Sequence, residues 1–234
     1  MFCCIRFSAI AAVPAEDGQV GKRDKRKKKL KTNMSTRELI VLEAERIISA
    51  KGVDGLRLEE ITHTVGIQRP SLYSHFSGRS QLLAELITRA MKVLSDSFDN
   101  NEDLEPLENI RAGARILVRS LAAHPAYVRI LMLDFASPNG MPEFTMEFGK
   151  PGKIEESGAL RPLIDRISEL LRKGQKDGTL RHYDPLILFH NLLCLIVGRL
   201  ALEQRKMGNR RELADLTSEL EQTVDDLCVR LLVR

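Results

Sequence analysis

Between Gln68 and Arg79 the chain gathers side chains suited to reading a nucleic acid. Gln68 can offer paired hydrogen bonds to adenine, and Arg69 to guanine, the bidentate contacts that tell base edges apart. Ser71, Tyr73 and His75 supply hydroxyl and imidazole groups of the kind that hold phosphate oxygens. Arg79 stands where a new helix is expected, so its guanidinium and that helix N-terminus can share one phosphate. A plainer reading competes with this one. Helix pairs split by a glycine occur in many all-α proteins, and Tyr73 can be a core residue with a satisfied hydroxyl. No other constellation carries chemistry. The five histidines are scattered, and no Cys–His spacing suits zinc. No nucleophile, base and orienter stand in a recognisable motif, and no glycine loop is built to cradle phosphate. The expectation is a protein without catalysis, metal or cofactor.

The elements that must position these side chains can be read from periodicity. Ser35-Thr36-Arg37-Glu38 has capping-box form. Ile40, Val41, Ala44, Ile47 and Ile48 then share one face, and Gly52 follows Lys51, so a helix is expected over Thr36–Lys51. Leu58, Ile61 and Val65 predict a second helix of about two turns, broken by Gly66. Pro70 suits the first turn of a third, about Arg69–Phe76, with Leu72 and Phe76 on its inner face. Two short helices around a glycine turn form a helix-turn-helix, whose second helix fits the major groove.

Ile61-Thr62-His63-Thr64-Val65-Gly66-Ile67-Gln68-Arg69-Pro70-Ser71-Leu72-Tyr73-Ser74-His75-Phe76 resembles the DNA-binding segment of the TetR family of repressors. Leu72-Tyr73-x-His75-Phe76 is its most specific part. Glu59-Glu60-Ile61 and Arg79-Ser80-Gln81-Leu82-Leu83 agree in order and spacing, so the resemblance covers Thr36–Leu86, about a fifth of the chain. It implies that Gln68, Arg69, Pro70, Ser71 and Ser74 face the groove, and that Tyr73 and His75 contact phosphate. Arg79 matches the basic residue, usually Lys, that opens the fourth helix at the backbone. Two positions depart from the pattern. Arg57 and Gln68 stand where the family often places a capping Ser or Thr, and at Gln68 this weakens the cap by up to about 1 kcal/mol. Both add longer polar side chains toward DNA, so a changed operator preference is expected.

Downstream, helices are expected at Leu82–Phe98, Pro106–Ala123, Pro125–Phe135, Pro162–Lys176, Pro185–Lys206 and Arg211–Leu232. No two-residue alternation appears, so the fold class is all-α, about nine helices. An N-terminal helix-turn-helix unit (35–84) precedes a helical regulatory and dimerisation domain (85–234). Apolar residues surround the axis of the penultimate helix, which calls for burial on all sides. The last helix places leucines at steps of three and four. Two such helices from each of two chains can close a four-helix bundle, and the resemblance implies a homodimer through them. The expected interface is Leu192, Leu195, Ile196, Leu216, Leu220, Val224 and Leu227. Tyr127, Met132, Phe135, Phe144, Phe148 and His190 are candidates to line a pocket for an unknown small-molecule effector. The implied partners are thus double-stranded DNA with a palindromic operator, an effector and a second copy of the chain. Two rivals stand beside this reading: a weakly specific architectural DNA binder, and a helical ligand-binding module without DNA function.

Charge is unevenly placed. The 234 residues hold 36 Lys+Arg against 32 Asp+Glu, yet residues 22–31, KRDKRKKKLK, carry eight basic residues and one acidic. Residues 34–95 have eight basic against seven acidic, so DNA affinity there depends on placement rather than bulk charge. A lysine run is ordinarily a solvated tail, and residues 1–34 are expected to be a disordered basic extension. Phe7–Ala15 is a short apolar run ending in small residues, as in a secretory signal, but Arg6 alone precedes it as a basic flank, so an unpacked extension is expected instead. The longest unbroken apolar run is six residues, Leu192–Val197, which argues against a membrane span. Four cysteines, two of them adjacent, do not make a disulfide framework. A cytoplasmic, reducing location is expected.

Overall fold

The computed structural model describes residues 34–98, 103–143, 160–203 and 210–233. The expectations placed on residues 1–33 and on Phe144 and Phe148 lie outside them. Among the described residues there are nine α-helices and no β-strand. The helices are α1 (Thr36–Lys51), α2 (Leu58–Val65), α3 (Arg69–Tyr73), α4 (Arg79–Asp96) and α5 (Pro106–Ala123). They continue with α6 (Pro125–Ala136), α7 (Arg161–Lys176), α8 (Pro185–Glu203) and α9 (Arg210–Leu232). A 3-10 turn, Val53–Gly55, joins α1 to α2.

The expected face of α1 is the buried one: Ile40, Val41, Ala44, Ile47 and Ile48 have no exposed surface. Gly52 ends this helix at φ 79°, a left-handed backbone open to glycine without strain. Its N–H donates to the Ile48 carbonyl at 2.9 Å. Helix α3 stops at Tyr73, shorter than expected, and α4 begins at Arg79, where a helix start is expected, and ends at Asp96. Along α4, Leu82, Leu83, Leu86, Ile87, Ala90, Met91 and Leu94 are buried, and the helix packs against α1, α5, α6 and α7. It is the shared wall between the first three helices and the remainder.

A charged clasp ties α1 to α4. Arg89 donates from Nη1 and Nη2 to the two Glu38 oxygens at 2.8 and 2.7 Å. Its Nε donates to Glu85 at 3.0 Å, and Arg37 donates to the other Glu85 oxygen. The Arg89 hydrogen bonds hold the Glu38 carboxyl below its ordinary range, and Arg37 foremost does the same for Glu85. Beyond α4, Phe98 lies against α5 where Gly113 leaves room. A Cβ on Gly113 would sit 2.3 Å from the Phe98 ring. Arg166 of α7 donates to the Phe98 carbonyl at 2.7 Å.

The longest helix, α9, lies along α5. Arg111 and Arg115 both donate to Asp225, at 3.0 and 2.7 Å, and Arg119 pairs with Glu221. Its C-terminus is fastened by Arg181, whose backbone N–H donates to the Leu232 carbonyl at 2.8 Å. The Arg181 side chain donates to the carbonyls of Arg230 and Leu231.

Helix α8 corrects the expectation drawn from unbroken apolar runs. Its 19 residues are long and apolar enough to cross a membrane by length and composition, despite interruptions by His190, Asn191 and Arg199. Its inner side, Leu188, Phe189, Leu192, Leu193, Ile196, Val197 and Leu200, is buried against the chain's own core. Burial within the chain divides the residues expected at the interface. Leu192, Ile196, Leu216, Leu220 and Val224 are core residues with at most 6% exposure, covered by the chain's own side chains. Leu195 and Leu227 are half-buried. The outer side of α8 instead exposes Ile187, Cys194 and Leu202.

Candidate nucleic-acid interface

The turn between α2 and α3 is made by Gly66, a left-handed residue at φ 79°. The N–H groups of Gly66 and Ile67 both donate to the Thr62 carbonyl, at 3.0 and 3.1 Å, which closes α2 and sets the start of α3. Ile61, Leu72 and Phe76 are buried, and Leu58, Val65 and Ile67 pack at their edges. The Arg37 guanidinium lies 4.8 Å from the centre of the Phe76 ring, a cation–π contact that ties α1 to the end of this unit.

With Leu72 and Phe76 held inward, the other side of α3 must face solvent. Gln68, Arg69, Pro70, Tyr73 and Ser74 are exposed, while Ser71 and His75 are half-buried. Tyr73 is 53% exposed, so it is not the core residue of the plainer reading. The Ser74 hydroxyl donates to the Ser71 carbonyl at 2.7 Å, leaving its oxygen free to accept. Arg57 and Gln68 occupy the N-caps of α2 and α3 in extended conformation, and neither side chain makes a capping hydrogen bond. Their polar ends are therefore not consumed by the helices they precede.

Arg79 has a role that its sequence position does not suggest. Its Nη2 donates to the Val53 carbonyl at 2.8 Å. It thus fastens the connection between α1 and α2 to the first turn of α4. Beside it, the Ser77 N–H donates to the Gln81 side-chain oxygen. Glu59 is a second participant that the sequence reading missed. It accepts from Arg69 Nη2 at 3.0 Å, while its neighbour Glu60 pairs with Lys51 at 2.7 Å and Arg46 at 3.4 Å. The Lys51 contact foremost holds the Glu60 carboxyl below its ordinary range.

Of the residues expected to line a pocket, Met132, Phe135 and His190 are exposed, the first two at 37% and 45%. Tyr127 is buried, and its hydroxyl donates to Glu45 of α1 at 2.7 Å. Burial, reinforced by the Glu45 charge, pushes this phenol above its usual range. His124 stacks on the ring with centroids 4.9 Å apart. Tyr127 is thus a bolt from α6 to α1. Nothing local in the sequence marks it, because its partner is 82 residues away.

Residues 40–86 match the family model described as bacterial regulatory proteins, tetR family. The chain is 29% identical over 93 residues to the HTH-type transcriptional regulator EthR of Mycolicibacterium smegmatis, covering 38% of this chain and 43% of that protein. The chain therefore spans less than half the length of this curated relative. Among solved structures, the SmeT–triclosan complex is 25% identical with a TM-score of 0.59, over 86% of this chain and 93% of that one. AibR in complex with isovaleryl coenzyme A and operator DNA is 19% identical with a TM-score of 0.56, over 81% and 98%. That second likeness speaks for the fold.

Proposed function

Because the chain belongs to the tetR family of bacterial regulatory proteins, we propose that it is a sequence-specific transcriptional regulator. In this reading it acts in the cytoplasm as a homodimer on a palindromic operator, and a small-molecule effector releases it as a repressor. One observation carries the reading. Helix α3 buries Leu72 and turns Gln68, Arg69, Pro70, Tyr73 and Ser74 outward. Those side chains can reach base edges and phosphates only because the opposite face is anchored. The structure of AibR with both a coenzyme A ester and operator DNA supports the pairing of effector and DNA in this fold. Residues 35–84 are assigned to DNA, and 85–234 to effector binding and dimerisation.

Dimerisation fits the outer side of α8. Ile187 and Leu202 are 52% and 60% exposed there, and Gly198 has open space around its Cβ direction. A two-fold pair of chains would cover this apolar side and present two copies of α3 to two half-sites. The effector must act through contacts that cross from the regulatory helices to α1. Tyr127–Glu45 and Arg89–Glu38 are such contacts. Moving the population from mostly competent to mostly incompetent needs about 10⁴-fold tighter binding to the incompetent state.

Selection of bound sequences from random duplex DNA tests the reading. One palindrome should be enriched, and the same palindrome after deletion of residues 1–33. Loss of all preference with the tail would instead favour an architectural binder. Ligand binding with no DNA affinity at all would favour a helical ligand-binding module.

A further inference from the structure

We propose that Glu59 is a positioning residue for base readout: its carboxylate orients Arg69 and cancels its charge, so that Arg69 discriminates bases rather than gripping any phosphate. The inference rests on the DNA-reading role proposed above and deepens it. Glu59 lies in the first turn of α2, and Arg69 opens α3 across the Gly66 turn. The turn is fixed by the two bonds to the Thr62 carbonyl, and the Thr62 hydroxyl donates back to the Glu59 carbonyl at 2.9 Å. The spacing between the two side chains is therefore set by backbone. Arg69 Nη2 meets Glu59 Oε1 at 3.0 Å, with both side chains well exposed, 65% and 62%. The pair sits in solvent, within reach of a docked duplex.

A guanidinium has five N–H donors and needs two for a bidentate contact to guanine. One hydrogen bond to Glu59 leaves enough for the base and removes rotamers that the long side chain would otherwise lose on binding. The electrostatic consequence has the opposite sign for phosphates. A paired Arg69 carries little net charge outward, so it adds little of the counterion-release affinity that every sequence shares. Orientation raises discrimination, and neutralisation lowers indiscriminate binding. Glu60 does not duplicate this, because its carboxylate is taken by Lys51 and Arg46.

The test compares salt-dependent binding of the full chain to its selected operator, to single-base variants of it, and to random duplex DNA. Variants are Glu59→Ala, Glu59→Gln, Arg69→Ala and the double Glu59→Ala/Arg69→Ala, each checked for unchanged thermal unfolding. Glu59→Ala should tighten binding to random duplex and steepen its log–log salt slope by about one unit, as one more phosphate contact forms. Discrimination at the base read by Arg69 should fall roughly two- to fivefold, the scale of an exposed ion pair. Glu59→Gln keeps an acceptor and should restore discrimination without restoring the shallower slope. In the Arg69→Ala background, Glu59→Ala should change discrimination no further. If Arg69→Ala alters the base preference while Glu59→Ala leaves it intact, the positioning role is wrong and the DNA reading stands. If Arg69→Ala itself leaves the preference unchanged, Glu59 has nothing to position and the base-reading assignment falls with it.

Discussion

The α1–α4 clasp and the α2–α3 surface are built from the same pairing, arginine with glutamate, and they serve opposite ends. In the clasp, Arg89 meets Glu38 through two hydrogen bonds, and the side chains are 26% and 35% exposed. On the surface, Arg69 meets Glu59 through one hydrogen bond, and both side chains are mostly in solvent. Enclosure and bond number decide the role. A bidentate, part-buried pair with a second carboxylate fixes two helices against each other. A single exposed pair contributes about 0–1 kcal/mol, enough to bias one side chain and too little to fix two helices. The first is architecture, and the second is a side chain held ready.

The largest way to break this contrast is to remove what anchors the surface. Leu72→Ala should cost about 2–5 kcal/mol in denaturant unfolding, because it empties a buried site. DNA binding should fall with it, since the outward face of α3 exists only while its inward face is held. Next in size, Arg69→Ala should cost about 1–3 kcal/mol in binding at one operator position. Its unfolding free energy should stay within about 0.5 kcal/mol of wild type. Arg89→Met should do the reverse. It should lose about 1–2 kcal/mol of stability by stripping the charged partner from two carboxylates, with base preference unchanged.

The clasp also carries a pH signature that sharpens the contrast. Glu38 and Glu85 have folded values below the ordinary 4.5. Their contribution is complete above the unfolded value and is lost as pH falls through the lower folded one. The stability gap between wild type and Arg89→Met should therefore be full near neutrality and close on acidification below about pH 4.5. The smallest effect is at the helix start. Gln68→Ser should add up to about 1 kcal/mol by supplying the missing cap on α3, and should shift operator preference by removing an amide.

Elements governed by nearest neighbours are legible in the sequence. The buried stripe of α1, the stop at Gly52, the Gly66 turn and the proline starts of α5, α6 and α8 all depend on residues within one or two turns. The outward chemistry of α3 is equally local. What is not legible involves a choice among sides or a distant partner. A helix apolar on every side, such as α8, does not say which leucines meet its own chain. Leu192 and Ile196 therefore belong to the core, and Ile187 and Leu202 remain outside. The pairs Arg69–Glu59, Arg89–Glu38 and Tyr127–Glu45 join residues 10, 51 and 82 positions apart. No periodicity connects them.

Whether α3 reads DNA sequence through Arg69 is measured most directly by parallel selection from random duplex DNA. The wild-type chain and Arg69→Ala would be compared, both confirmed folded. The expected result is one enriched palindrome for the wild type, and for the variant the same palindrome with relaxed preference at one symmetric pair of positions. Identical preference profiles for the two proteins, or no enrichment by the wild type, would contradict a base-reading Arg69.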